Sequence, residues 1–300
     1  MSAAVQWDVS GLTWPNRAAS SFVNAGGLRW HVQQAGAGPN LLLLHGTGAA
    51  THSWRGLLPL LARHFTVIAP DLPGHGFTSA PLPAAHSLPS FAALIAALLA
   101  KLDAQPALAV GHSAGAAIAA RMCLDGTIAP YGLVAINGAM LPLQGLAGTV
   151  FSPLAKLLAA NTLVPKLFSW RAGDRAVTER LLRSTGSQID EEGVALYGEL
   201  MRHPAHAAAA LNMMAQWDLP SLQRDIARLV TPLLLIVGEN DRTVPASEAT
   251  RLQRQLPHTT IERLAQLGHL AHEEAPDKIR ALIVSFAARV HGVHRSAATV

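Results

Sequence analysis

Leu41-Leu42-Leu43-Leu44 is a continuous apolar run, fenced by Gly36-Ala37-Gly38-Pro39 before it and His45-Gly46-Thr47-Gly48 after it. With no polar alternation, it predicts a strand buried on both faces, as in a parallel sheet covered by helices. The pattern recurs at 65–69, 107–110, 132–136 and 233–237, with helical stretches near 53–63, 90–102 and 114–124 between the early strands. Strands alternating with helices imply a mostly parallel, doubly wound α/β sheet. A last strand over 259–264 and a helix over 276–290 complete the pattern, and 291–300 is expected to fray. Ahead of it all, two β-prone runs within 21–34 flank Asn24-Ala25-Gly26-Gly27, which is a hairpin signal.

One interval departs from the alternation. About a hundred residues between 136 and 233 show no strand pattern, but helical stretches near 153–169, 174–184, 191–202 and 204–216. That is far longer than an ordinary connection. It predicts a helical insertion over 139–220, dividing the core domain into 1–138 and 221–300.

Half of the 300 residues are apolar and 14% are charged, which suits a compact fold with a sizeable core. The net charge of +4 could point to nucleic acid. However, the 23 basic residues are scattered and aromatics are only 5%, so no basic face with interleaved aromatics forms and nucleic acid is not an expected partner. Cys123 is the single cysteine, which excludes an internal disulfide. The N-terminal residues lack a basic region followed by an apolar core, and the longest apolar run, 91–100, is about half of the roughly 20 residues that span a bilayer. A soluble cytoplasmic protein is the expectation. Membrane association through 153–169, where apolar and basic residues mix, is the less favoured alternative.

Chemistry concentrates at Gly111-His112-Ser113-Ala114-Gly115. In a strand–turn–helix context, Gly-x-Ser-x-Gly is a nucleophile elbow: a sharp turn projects the serine hydroxyl from the sheet edge, and the small residues permit close packing. Here an apolar strand precedes it and an alanine-rich helix follows, which favours Ser113 as a nucleophile over a glycine-rich turn of another kind. A serine hydroxyl needs a base, and the base needs an orienting acid. Asp241 follows the strand at 233–237, and His269 follows the last strand, so Ser, Asp and His fall in order after successive strands. A helix cap at Asp241 and a surface loop at His269 are the bland alternatives. The backbone N–H groups of Thr47 and Ala114 are the candidate oxyanion donors.

Competing readings are weaker. Gly46-x-Gly48 with Asp71 about 25 residues on could begin a dinucleotide fingerprint, but Thr51 replaces the third glycine and Ser113, Asp241 and His269 go unexplained. His269/His272, His203/His206 and His291/His294 share a His-x-x-His spacing without the further ligands a metal site requires, so neither metal nor cofactor is expected.

Taken together, His45-Gly46-Thr47-Gly48, Asp71-Leu72-Pro73-Gly74-His75-Gly76-Phe77-Thr78-Ser79, the Ser113 elbow, Gly238-Glu239-Asn240-Asp241 and Gly268-His269 with Glu274-Ala275-Pro276 resemble the α/β-hydrolase superfamily with a helical cap. The resemblance implies a triad of Ser113, Asp241 and His269 and a cleft between sheet and cap. Some members carry the acid after an earlier strand, where Asn137 stands here and cannot serve. Others use Asp as nucleophile, which Ser113 excludes. Trp14-Pro15-Asn16-Arg17, 28–33 and the run from His45 to Arg55 resemble, more narrowly, the magnesium-chelatase accessory proteins of bacteriochlorophyll synthesis.

Two classes of function follow. One is a serine hydrolase acting on an ester, amide or thioester, or on a carbon–carbon bond. The other is a non-catalytic accessory protein that holds a tetrapyrrole or contacts magnesium chelatase subunits. His45, His112, Asn137, Trp170, Met213 and Trp217 are the candidate pocket residues, with Leu154, Leu157, Leu158, Leu163, Val164, Leu167, Phe168 and Met214 as further apolar lining. Lys156, Lys166, Arg171 and Arg175 could meet propionate carboxylates, but a solvated basic face is the expected role.

Overall fold

The computed structural model describes residues 5–82, 85–142, 163–172 and 174–297. Its centre is one eight-stranded sheet in the order β1-β2-β4-β3-β5-β6-β7-β8. The strands are β1 (Ser20–Ala25), β2 (Leu28–Ala35), β3 (Asn40–Leu44), β4 (Thr66–Pro70), β5 (Leu108–His112), β6 (Gly132–Ile136), β7 (Leu233–Gly238) and β8 (Thr260–Leu264). Strands β4, β3, β5, β6, β7 and β8 are parallel, while β2 runs antiparallel to β1 and β4. The β1–β2 turn is only Gly26-Gly27, both at positive φ (55° and 78°), which is the backbone a two-residue hairpin of matching twist requires.

The helices are α1 (Trp7–Ser10), α2 (Leu57–Leu61), α3 (Leu88–Lys101), α4 (Ala114–Leu124), α5 (Leu163–Ala172), α6 (Arg175–Ser184), α7 (Glu191–Met201), α8 (Pro204–Gln216), α9 (Leu219–Asp225), α10 (Ser247–Gln255), α11 (Ala271–Glu274) and α12 (Pro276–Ala297). Helix α12 continues past 290, so part of the tail expected to fray is helical. The run Leu41–Leu44 shows why the sheet needs two helical layers. Leu42 and Leu44 face Phe91 of α3, Ala117 of α4 and Leu222 of α9. Leu41 and Leu43 face Leu57 of α2 and Ile279 and Phe286 of α12. All four leucines are fully buried, and each such burial is worth roughly 1.5–3 kcal/mol.

Among the described residues no strand lies between β6 and β7; helices α5 to α9 fill that interval. Their starts are written locally. Asp174, Asp190 and Asp218 each accept a hydrogen bond from a first-turn N–H of α6, α7 and α9. Helix α5 packs on α8 and α6 on α7. Leu154, Lys156, Leu157 and Leu158 lie outside the described residues. Lys166, Arg171 and Arg175 are exposed. No helix among the described residues is long and apolar enough to cross a membrane.

Candidate active site

Ser113 stands between β5 and α4 at φ 51°, ψ −117°, a conformation that costs a non-glycine residue of order 1–3 kcal/mol. Its neighbours show what holds it there. A Cβ on Gly111 would lie 2.3 Å from the Ala116 nitrogen, and one on Gly115 would lie 2.1 Å from the Leu44 carbonyl oxygen. Any larger side chain at either position would force the turn apart. Every residue of α4 from Ala114 to Met122 is buried, so the elbow is wedged against the sheet. The helix N-terminus thereby points its free N–H groups and positive dipole end at the space beside Ser113.

The loop after β7 carries Asp241 and the loop after β8 carries His269, both buried. Asp241 Oδ1 accepts the N–H groups of Thr243 (2.7 Å) and Val244 (2.9 Å), and its Oδ2 lies 2.8 Å from His269 Nδ1. The opposite ring nitrogen, Nε2, is thus left free of Asp241. Ser113 and His269 both border one cavity of about 1200 Å³, although among the described residues no hydrogen bond joins the Ser113 hydroxyl to His269. Hydrogen bonds of this kind often tighten only when substrate binds.

Thr47 and Ala114 also border the cavity, and among the described residues neither backbone N–H has a backbone acceptor. The 45–48 loop is pinned from behind by two neutral histidines, His45 and His206, and a third, His112, holds the His269 loop. His45 Nε2 accepts the Leu72 N–H at 2.9 Å, so Nδ1 donates to the Gly46 carbonyl at 2.8 Å. His206 of α8 accepts the Gly76 N–H and donates to the Gly48 carbonyl, both at 3.1 Å. His112 donates from Nε2 to the His269 carbonyl at 2.9 Å, and its Nδ1 has no partner. Burial pushes all three below the ordinary imidazole range, His206 to about 4.

Of the six candidate pocket residues, His112 and Trp217 line the cavity, while His45, Asn137, Met213 and Trp170 are not among its lining residues. His45 serves the loop backbone instead. Asn137 takes the Gly238 N–H and donates to the Gly268 and His269 carbonyls, so it fixes the His269 loop where an acid could have stood. Met213 is buried behind the wall, with Sδ 3.4 Å from the Thr47 hydroxyl. Trp170 is 72% exposed.

The sequence reading missed a clamp over residues 185–188. Arg242 N–H donates to the Thr185 carbonyl, Leu270 N–H to Ser187 Oγ, and Gln188 N–H to Glu274, whose other oxygen accepts the Gly268 N–H. A Cβ on Gly186 (φ 87°) would stand 1.9 Å from the Asn240 carbonyl oxygen, so glycine is needed for both its conformation and its close approach. Asp71, the candidate ribose ligand of the dinucleotide reading, is wholly occupied: it faces His31 Nδ1 at 2.8 Å and accepts the Thr51 and Phe77 N–H groups. His31 in turn meets Ser20 Oγ at 3.0 Å. This second Ser–His–Asp line sits under Trp7, Phe22 and Phe77 and ties the N-terminal segment to the sheet edge.

An eight-stranded sheet with one reversed strand, a serine on a strained turn and an Asp–His pair in the loops after β7 and β8 define a class. The chain belongs to the alpha/beta hydrolase family, whose family model matches residues 41–282. It is 40% identical over 275 residues to the magnesium-chelatase 30 kDa subunit of Rhodobacter capsulatus, covering 91% of this chain and 96% of that protein. It is 29% identical to a pimeloyl-[acyl-carrier protein] methyl ester esterase of Vibrio parahaemolyticus over 86% of this chain and 97% of that one. Among solved structures, an alpha/beta hydrolase fold protein from Burkholderia ambifaria superposes with a TM-score of 0.75 at 24% identity, covering 95% of this chain and 100% of that one. The hydrolases among the relatives support a hydrolase-type function.

Proposed function

We propose that this protein is a serine hydrolase that cleaves an ester-, amide- or thioester-type acyl bond of an apolar substrate, in the cytoplasm and in association with tetrapyrrole synthesis. Ser113 Oγ attacks the acyl carbon as His269 Nε2 takes its proton. His269 returns that proton to the leaving group, and water then releases the acyl group by the same route reversed. Asp241 keeps the imidazole in the tautomer with Nε2 bare. The Thr47 and Ala114 N–H groups donate to the oxyanion. Residues 139–220 act as the cap that closes the cleft over a core of 1–138 and 221–300.

The observation that carries this reading is the 2.8 Å Asp241–His269 contact opening, with the strained Ser113 elbow, on one cavity. The esterase among the relatives supports the acyl chemistry, and the name of the 40% identical relative supports the link to tetrapyrroles. A fluorophosphonate probe should label wild-type protein at Ser113 and leave Ser113→Ala unlabelled. An unlabelled wild type with native circular dichroism would overturn the proposal.

That relative is called a subunit, which favours a second reading: a non-catalytic accessory protein that binds a porphyrin or chelatase subunits. Complementation separates the two. Ser113→Ala should fail to restore pigment synthesis in a strain lacking the protein if the serine works, and restore it fully if the protein only binds.

A further inference from the structure

The cavity is large and carries an unusual charge pattern. At about 1200 Å³ it exceeds the roughly 300–1,000 Å³ of ordinary ligand pockets. Among the described residues that line it, the ionisable side chains are His112, Tyr197, His206, Asp218 and His269, and none is Lys or Arg. His112 and His206 are neutral for a geometric reason as well as an electrostatic one. The His206 Nδ1 lone pair already accepts the Gly76 N–H, and the buried His112 Nδ1 has no partner to stabilise a second proton. The Tyr197 hydroxyl donates to Glu273 and is turned away from service as a free donor.

The cations just behind the wall are already neutralised. Arg55, behind Tyr197, is paired with Glu273 and Asp190. Arg251, behind Pro142, is paired with Glu248 and donates to the Pro142 carbonyl. Among the described lining residues the one charged side chain outside the Asp241–His269 pair is Asp218, exposed at the start of α9, and it repels anions. The remaining anion-accepting place is the N-terminus of α4, which the scissile carbonyl itself occupies.

We propose, resting on the hydrolase reading above, that the cavity is built for an uncharged, largely apolar acyl ester and rejects substrates that carry a free carboxylate away from the scissile bond. Among the described lining residues a carboxylate there would meet no cation, only neutral donors such as Ser87, Thr185, Thr243 and Trp217, and leaving water for these is unfavourable.

The test compares 4-nitrophenyl octanoate with 4-nitrophenyl hydrogen suberate, which has the same chain length but a terminal carboxylate, and with its methyl-capped diester. We expect kcat/KM for the anionic ester to be lower by roughly 100-fold or more, mostly through KM, and the methyl cap to recover it to within about tenfold. Equal or better turnover of the anionic ester would overturn the inference. Binding decides it without catalysis: calorimetric titration of decanamide and of sebacic acid monoamide, which carries a carboxylate at the far end of the same chain, into Ser113→Ala and wild type should favour the neutral amide by at least about tenfold. The monoamide carboxylate binding as tightly, or neither ligand binding, sinks the inference. Failure of fluorophosphonate labelling with the amide preference intact sinks the hydrolase reading alone. Met214→Lys, which places a cation in the wall, should raise turnover of the anionic ester relative to that of the methyl-capped diester, and an unchanged ratio would count against the inference.

Discussion

Asp241 divides its two carboxylate oxygens between loop and imidazole. Oδ1 is held by two backbone N–H groups, so Oδ2 faces His269 Nδ1 without freedom to turn away. Removing the charge but keeping the shape isolates its electrostatic and tautomeric role from its structural one. In Asp241→Asn the amide donates where the carboxylate accepted, and His269 is driven to carry its proton on Nε2, where it cannot act as a base. We expect kcat to fall roughly 10⁴-fold, with Tm within a few degrees of wild type. A loss of less than about tenfold, read by steady-state kinetics on a neutral ester, would remove Asp241 from the proposed mechanism. Asn137 shows the complementary point. Its amide supplies both a donor and an acceptor, which the Gly268 and His269 carbonyls and the Gly238 N–H need together. A carboxylate there could not donate to those two carbonyls.

At the scale of elements, the loop after β4 is organised by one buried carboxylate. Burial alone would raise the Asp71 carboxyl, but the facing His31, together with the Phe77 N–H, overcomes this and holds it well below the usual carboxylate range. A depressed folded pKa stabilises the protein above the unfolded value, 3.8 for this group, and the benefit is lost as pH falls below about 4. Urea unfolding between pH 6 and pH 3 should therefore show a steep acid limb. Asp71→Asn should flatten that limb and cost roughly 2–4 kcal/mol at pH 7; an unchanged limb would mean other carboxylates cause it. Leu41–Leu44 and the Ser113 elbow were legible in the sequence because local periodicity and turn chemistry encode them. The β6 strand and helix α4 matched their expected bounds, and the hairpin needed only its turn shortened to Gly26-Gly27. The structural role of Asp71 was not legible because its partners His31 and Thr51 lie 40 and 20 residues away. His206 and Gly186 were illegible for the same reason: their importance lies in contacts with Gly48 and Asn240 that no local pattern announces.

The whole molecule adds a latch between the proposed cap and the core. Arg55, after the oxyanion loop, pairs with Glu273 of α11 and with Asp190 at the start of α7, and Tyr197 of α7 donates to Glu273 at 2.8 Å. Ser10 near the N-terminus reaches Glu199 on the same helix. Three of these contacts hold α7, whose Tyr197 lines the cavity, and a titrating group sits among them. Burial pushes the Glu273 carboxyl up to about 7, against the opposing pull of Arg55 and of the Tyr197 hydroxyl. Because its folded pKa is raised, the latched state binds a proton that the opened state releases between its ordinary 4.5 and about 7. The latch is therefore strongest at the acid end of that window, and its opening free energy falls by about 1.4 kcal/mol per pH unit as pH rises through it. Hydrogen exchange of the α7 amides, corrected for intrinsic rates, should report that slope locally, since such units open without global unfolding. Glu273→Gln keeps an oxygen that accepts from Arg55, sets its NH2 against the Tyr197 hydroxyl oxygen and cannot titrate, so the α7 slope between pH 5 and 7 should vanish while β5 amides in the sheet centre are unaffected. A slope that survives in Glu273→Gln would place the titrating group elsewhere in the cap–core contact and leave Arg55 a static tether.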